Sequence, residues 1–476
     1  MIVPLALAQF IASYAATNMN VAVSSIAGDL GTNVIGVQTA ITLFTLTMAA
    51  LMIPGSKLTD IWGRKRCFRL GLDVYGLGGL LAALAPGLGT LTIGYSLLEG
   101  VGSALMIPPI YILITVLAGD VTSRAKGFGV VSGAAGVGAA AGPLIGGLVT
   151  TAFSWRASFL LQVLVVAAII LLSRRIPDPG VQGQPPAFDV AGAVLSAAGL
   201  LFVVLGILQS GTYGWITARQ DFAIGSLVLI PKGGPSPVWV FVAIGTAILG
   251  WFVFHVRRRE RAGREPLLST RLFRSRAADL GLVTQIVQWL TLQGSFFVVS
   301  VFLQTVRHNS AIETGLILTP ATFGVLVSSA AAGRLARRRT QRFLIRSGFV
   351  ATVAGIGLLL LLARAGSGLV AFLPGLVLLG LGVGVMLTAS VNLVQSSFPE
   401  RDQGEISGLS RSASNLGSSL GTAIVGSVLV AATTIGNTAF AWALVTVAVI
   451  ALIGLTAALL LPAGESPLSP VGGGGR

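Results

Sequence analysis

A single carboxylate, Glu99, stands inside the apolar run 91–117, in the order Ser96-Leu-Leu-Glu99-Gly100-Val-Gly102-Ser-Ala104. Read as a helix, the run places Glu99 about eight residues, or ~12 Å, from its start. A carboxylate at that depth in hydrocarbon costs about 3 kcal/mol even on lenient insertion scales, so it is expected to face a wet cavity or to carry a proton. Its chemistry would be proton uptake and release; the plainer alternative is a neutral side chain held by hydrogen bonds. Arg411 is a second ionisable group on an otherwise uncharged stripe, with Ser407, Ser414, Ser418 and Thr422 at helical spacing. It can bind an anionic group or snorkel to the interface. Two further polar stripes, Gln9, Ser13, Thr17, Asn20 and Ser24, and then Gln285, Gln288, Trp289 and Gln293, fit either the lining of a cavity or hydrogen bonds between packed helices. The fourth cluster is the segment 55–69, GSKLTDIWGRKRCFR, read as rich in turns. It concentrates Lys57, Asp60, Arg64, Lys65, Arg66 and Arg69 between two long apolar runs.

The elements that must position these groups are membrane spans. The chain is 54% hydrophobic and 10% charged, with mean hydropathy +0.88, far outside the composition of a soluble domain. Spans are expected near 2–26, 34–54, 70–86, 91–117, 127–151, 156–173, 190–209, 237–255, 278–303, 313–333, 345–363, 370–395, 406–432 and 438–462. With fourteen spans and both termini cytoplasmic, 25 of the Lys and Arg residues fall on the cytoplasmic side and 5 on the other, leaving Arg476 in the tail. The net charge of +15 is therefore read as topological, not as a nucleic-acid surface. The stretch 210–236 is read as interfacial or re-entrant, because its apolar run is too short to span. Glu313 follows Ser310 at capping-box spacing. Enzyme signatures, phosphate-binding loops and cysteine metal sites are not found in the sequence, whose one cysteine is Cys67, and no cofactor is expected.

Ser56-x-Leu58-x-Asp60 corresponds to Gly333-x-Leu335-x-Arg337, and Gly138-x-x-x-Gly142 to Gly417-x-x-x-Gly421. Two related halves of six helices with two helices between them imply a pseudo-two-fold transporter with a central cavity.

The segment from Ser56 to Arg66 resembles the loop motif of the major facilitator superfamily, with Leu58, Asp60, Gly63, Arg64 and Lys65 matching and Ser56 where the family has Gly. The resemblance implies that the Asp and Arg of this loop latch the halves in the outward-facing state. Gly138-Ala-Ala-Ala-Gly142-Pro143-Leu-Ile-Gly146-Gly147 resembles the antiporter motif of the family's exporters, in which small residues admit a neighbouring helix and Pro143 bends the helix. The stretch around Glu99 is similar to the family's Arg-x-x-Gln-Gly-x-Gly-x-Ala, with Ser96 replacing the Arg associated with proton coupling and Glu99 replacing Gln. Asn20-Val21-Ala22 matches the fourteen-helix branch, with Ala15 where that branch carries Asp.

The resemblance implies an all-α polytopic membrane protein of the major facilitator fold in the fourteen-helix drug:proton antiporter branch. The expected layout is a six-helix bundle over 1–175, a linker with two additional helices over 176–276, a second six-helix bundle over 277–462 and a disordered tail over 463–476. Its expected function is export of a small amphipathic molecule across a bacterial inner membrane in exchange for protons by alternating access, by a monomer bound to neither nucleic acid nor metal. Glu99 is the candidate for proton coupling, and Asp60, Gly63, Arg64 and Lys65 are the candidates for gating. Thr17, Asn20, Gln285, Gln288, Trp289, Gln293 and Arg411 are candidates for lining the cavity. Two readings stay beside it: a lipid exporter or uncoupled facilitator of the same fold, and a membrane-embedded sensor or assembly partner without transport.

Overall fold

Runs of about twenty apolar residues leave a backbone in hydrocarbon one local solution, the helix, which satisfies its own polar groups. The computed structural model of the chain describes residues 2–117, 121–178, 187–224, 227–336, 338–364, 366–398, 403–431 and 437–462. The expected tail 463–476, residues 179–186 of the linker and Arg337 lie outside the described residues.

Helix α1 (Ile2–Asn18) runs through a 3-10 turn (Met19–Ala22) into α2 (Val23–Asp29), and α3 (Val34–Trp62) and α4 (Arg64–Ala83) follow. Next, α5 (Leu88–Leu91) passes through a π-helical stretch (Thr92–Glu99) into α6 (Gly100–Leu117), and α7 (Val121–Ala152) and α8 (Trp155–Ser173) complete the first six rods. Helices α9 (Val190–Tyr213) and α10 (Pro237–Arg261) flank the strands β1 (Phe222–Ile224) and β2 (Leu227–Ile230). Then come α11 (Arg276–Val301), lengthened by a π turn (Phe302–Val306), α12 (Ala311–Leu335), α13 (Gln341–Leu362), α14 (Leu373–Ser396), α15 (Gln403–Ala431) and α16 (Asn437–Leu459). These form fourteen long rods at the fourteen expected places. Among the described residues, eleven are long and apolar enough to cross a membrane, and α7, bent by 41° between 129–139 and 141–152, makes a twelfth if taken as one span. The other two rods are α4, which opens with four basic residues, and α15, which is dense in serine and glycine.

Two details depart from the sequence reading. The segment 55–69 is not rich in turns: α3 continues to Trp62, α4 starts at Arg64, and Gly63 alone breaks the helix. Gly63 has φ of 93° and ψ of 143°, a region that only glycine visits without strain. The stretch after α9 is an antiparallel hairpin, β1 against β2, with the Phe222 ring edge-on to Tyr213 at 5.4 Å and to Phe241 at 5.9 Å.

The first six rods and the last six each pack among themselves in a similar pattern. Within the first six rods α1 lies along α7, and α4 along α6 and α8; within the last six, α11 lies along α15 and α16, and α14 along α12 and α13. The two groups meet along two seams, α3 against α15 and α7 against α12. Helix α9 covers the first seam, placing Val204 and Leu208 against Leu46 of α3 and Ala423 of α15. The hairpin of extra helices is tied down by Asp189, which accepts from Gly192 N (3.0 Å), Leu267 N (3.2 Å) and His255 Nε2 (2.9 Å), with the Arg259 guanidinium at 3.6 Å.

Candidate functional site

The groups that could act lie along the line where the two groups of six rods meet, and that line has two distinct ends. One end carries the α3–α4 junction, Arg174 and the basic stretch 257–276, and is here the basic end. At the far end α1 and α11 are locked together. The Asn20 carbonyl accepts from Ser300 Oγ and from Gln304 Nε2 (2.9 Å), while Gln304 Oε1 accepts from Ser24 N (3.0 Å). Nearer the middle, Gln293 Nε2 donates to Ala16 O (3.4 Å). Among the described residues no hydrogen bond joins α1 to α11 closer to the basic end than this one. Gln38 of α3 also donates to Thr422 O (3.0 Å) and Ala423 O (3.3 Å) of α15. Ser300, Gln304 and Gln38 were not candidates from sequence, because a polar residue within one helix does not reveal which carbonyl it meets.

At the basic end, the ion pair that joins the two groups of rods is Lys57 with Glu405, at 2.6 Å. Asp60 sits within electrostatic reach of Arg64, Lys57, Glu405 and Glu265. Lys65 Nζ donates to Arg174 O (3.5 Å), inside the first group of rods. Gly55 faces α6: a Cβ there would lie 3.0 Å from the Ala104 carbonyl carbon. Ser56 instead faces α15 opposite Gly408, where a Cβ would stand 3.5 Å from the Ser56 Cβ. Gly55 therefore serves the contact of α3 with α6, and the small residue at the α3–α15 crossing is supplied by Gly408. Glu405 was missed from sequence, its one signal being an acidic residue on the first turn of a helix.

The small residues of α7 serve two helices at once. Gly138, Gly142 and Gly146, four residues apart, face α1 around Phe10, Thr17 and Asn18. Gly147 faces the other way, where a Cβ would lie 2.5 Å from Ala311 O and 3.1 Å from the Ile312 Cα of α12. Pro143 cannot donate to the carbonyl of Ala139, and Thr17 Oγ1 of α1 does so instead, at 3.1 Å. Thr17, a cavity candidate, thus faces α7.

Glu99 ends the π-helical stretch, is fully buried, and has no hydrogen-bond partner on either carboxylate oxygen among the described residues. It points away from the meeting line, toward α4 and α8: a Cβ on Gly79 would lie 3.0 Å from Glu99 Oε1 and 3.1 Å from Val163 Cγ2. Tyr75 and Tyr95 are its electrostatic neighbours. Tyr75 donates to Gln162 Oε1 (2.6 Å), and Tyr95 to the carbonyl of Ala15 (3.2 Å). Ser96 donates to Ala40 O (2.7 Å). The π stretch widens the helix where these groups gather, a common device at functional sites.

The remaining cavity candidates divide. Gln285 and Gln288 are fully buried and accept from Ser410 (2.8 Å) and Ser390 (3.2 Å), inside the second group of rods. The Asn20 side chain is buried with neither amide atom partnered. Trp289 and Arg411 are half-buried. Arg411 reaches across to Tyr111 of α6, donating to its hydroxyl and lying 5.2 Å from its ring centroid, and Tyr111 donates to Gln9 Oε1 (3.3 Å). Elsewhere the expected capping box of Ser310 and Glu313 is present. Trp155 and Arg156 clasp Asp29, with Arg156 also reaching Ala85 O (2.9 Å).

A family model described as Major Facilitator Superfamily matches residues 5–261, 222–422 and 282–475. The chain is 30% identical to the puromycin resistance protein pur8 of Streptomyces alboniger, over 90% of this chain and 80% of that protein. It is 26% identical to the multidrug resistance protein Stp of Mycobacterium tuberculosis, over 87% of this chain and 72% of that protein. Among solved structures it shares the fold of the peptide transporter POT in complex with sulfate, at a TM-score of 0.66 and 16% identity, covering 97% of this chain and 94% of the other. Fourteen helical rods, twelve of them in two packed groups of six, a family match along almost the whole chain and relatives at this identity place the protein in the Major Facilitator Superfamily, as a multi-pass membrane transporter.

Proposed function

We propose that the protein exports small amphipathic molecules across the plasma membrane in exchange for protons, by alternating access between the bundles 1–175 and 277–462, with 176–276 as an accessory linker. The observation that carries this reading is a pair of closures at opposite ends of one meeting line. The far end is held by Asn20, Ser24, Ser300 and Gln304, and the basic end by Lys57 and Glu405. Each set can break while the other holds, which is the requirement for alternating access. The charge bias assigns the basic end to the cytoplasm. The names of the relatives support export, and the monomer and the fourteen-helix branch fit the same reading.

Glu99 is the group for proton coupling. Its charged form is costly in a fully buried site where the Tyr75 hydroxyl is the group beside it, so loading and unloading its proton is expected to accompany a change in the packing of α4, α6 and α8. Coupling is then transmitted through helix packing rather than by direct competition with substrate. A second reading, an uncoupled facilitator in which Glu99 is structural, is favoured by the same placement away from the meeting line.

Export is tested by expressing the chain in cells lacking their own efflux pumps and following accumulation of puromycin, fluorescein and rhodamine 123 with and without a protonophore. The proposal requires lower accumulation of at least one compound, reversed by the protonophore. Faster equilibration of a dye in both directions, with no lowering of its steady-state level and no effect of the protonophore, supports the facilitator.

A further inference from the structure

Arg411 is set apart from the other basic side chains of the chain. It stands about eight residues, or ~12 Å, along α15 from its start at the basic end. It does not turn outward to lipid or back to the interface. Its guanidinium crosses to the other group of rods and meets the hydroxyl and ring of Tyr111, which in turn bonds Gln9 of α1. Among the described residues no carboxylate lies within ion-pair distance of Arg411. Two acids near these elements are otherwise engaged or averted: Glu405 is bonded to Lys57, and Glu99 faces α4 and α8. The meeting line therefore carries a fixed positive charge at this level with no compensating negative one. Ser13, Tyr111, Trp289 and Arg411 are all half-buried, and Trp289 lies one turn before Gln293, on the face that meets α1.

We propose that Arg411, Tyr111 and Gln9 form a substrate subsite that selects amphipathic anions, molecules with an aromatic or apolar body and a carboxylate, phenolate or phosphate oxygen, over lipophilic cations. The proposal rests on the efflux reading and narrows it. A guanidinium presents a planar fork that binds a carboxylate through two parallel hydrogen bonds, and its low hydration makes partial burial tolerable. Tyr111 supplies a ring face beside the fork, and Gln9 an amide for a second polar group. A lipophilic cation entering from the basic end meets like charge there and loses affinity.

The test uses fluorescein and rhodamine 123, which share a xanthene frame and differ in charge. Binding is read by fluorescence anisotropy on the purified full-length protein in detergent, and export is read in proteoliposomes. The parent protein is expected to bind fluorescein at least tenfold more tightly than rhodamine 123. Arg411→Gln removes that preference, Arg411→Lys keeps part of it, and Tyr111→Phe weakens fluorescein binding several-fold. Arg411→Lys and Tyr111→Phe keep the test decisive if Arg411→Gln does not fold. Equal or tighter binding of rhodamine 123 by the parent, no fluorescein binding, or fluorescein binding unchanged in Arg411→Gln overturns the proposal. Export of rhodamine 123 alone leaves the efflux reading standing and removes this subsite, whereas fluorescein binding without export of either dye keeps the subsite and removes the efflux reading. Competition of phosphatidylglycerol with fluorescein identifies a lipid headgroup as the source of the anionic oxygen, and lack of competition identifies a soluble amphiphile.

Discussion

Loss of the Lys57 charge is expected to open the basic end. The Lys57 and Glu405 side chains are 2.6 Å apart and 20% and 26% exposed, between a surface pair and a buried one. Exposed pairs contribute up to about 1 kcal/mol. Removing one partner from a buried pair costs about 3–5 kcal/mol. Discounting for the remaining solvent contact, the pair is assigned about 1–2 kcal/mol toward closure, which shifts the open-to-closed ratio roughly 5- to 30-fold when lost. The readout is maleimide labelling from the basic side, at a cysteine placed at position 408. A Cβ at Gly408 meets Ser56 across the α3–α15 seam at an ordinary 3.5 Å, and the one native cysteine, the buried Cys67, is first replaced by alanine. In this background Lys57→Gln and Glu405→Gln should each accelerate labelling by that factor, and the double variant should gain little more than either alone. Equal labelling in all variants, or fully additive effects of the two substitutions, would refute the assignment of this pair as the closure of the basic end.

Three further perturbations follow from the geometry. Gly147→Ala drives a methyl into the backbone of Ala311 and Ile312, which cannot move aside as a side chain can; overpacking of this kind costs about 1–3 kcal/mol, so far-end accessibility to maleimide should rise roughly 5- to 150-fold. Gly63→Ala forces a side chain to φ of 93°, a strain of about 1–3 kcal/mol, and should lower the melting temperature measured in detergent without changing dye selectivity. Burial pushes the Asp189 carboxyl up, but its hydrogen bonds from His255 and Gly192 and the nearby Arg259 charge outweigh this and hold it below the usual carboxylate range. A carboxyl depressed in the folded state stabilises it above the unfolded value of about 3.9, and that stabilisation is lost as pH falls through the folded value. Asp189→Asn should therefore lower the melting temperature at pH 7, with the difference from the parent shrinking below about pH 4.

Most of the rods were legible because they are long and apolar, and local signals read correctly where their cause is local. Ser310 and Glu313 form their capping box within one turn. The segment 55–62 read as turns because its charges interrupt an apolar run, yet a helix can carry charge past the membrane edge, and α3 does so to Trp62. Helical stripes gave the polar faces without their partners. Thr17 turns to the carbonyl that Pro143 leaves unpaired, while Gln285 and Gln288 turn to serines of their own group of rods. The closures escaped altogether, because Lys57 and Glu405 lie 348 residues apart and Asn20 and Gln304 lie 284 apart. No spacing rule within a helix reaches that far, and the internal repeat indicates which rods meet without naming the side chains between them.

The most direct test of proton-coupled export is proton movement in proteoliposomes loaded with pyranine, under an imposed pH gradient, with fluorescein and rhodamine 123 added in turn to the parent and to Glu99→Gln. The account predicts a proton flux that begins when a transported dye is added to the parent and is absent in Glu99→Gln. Dye movement by the parent with no accompanying proton flux, or an undiminished flux in Glu99→Gln, would contradict it.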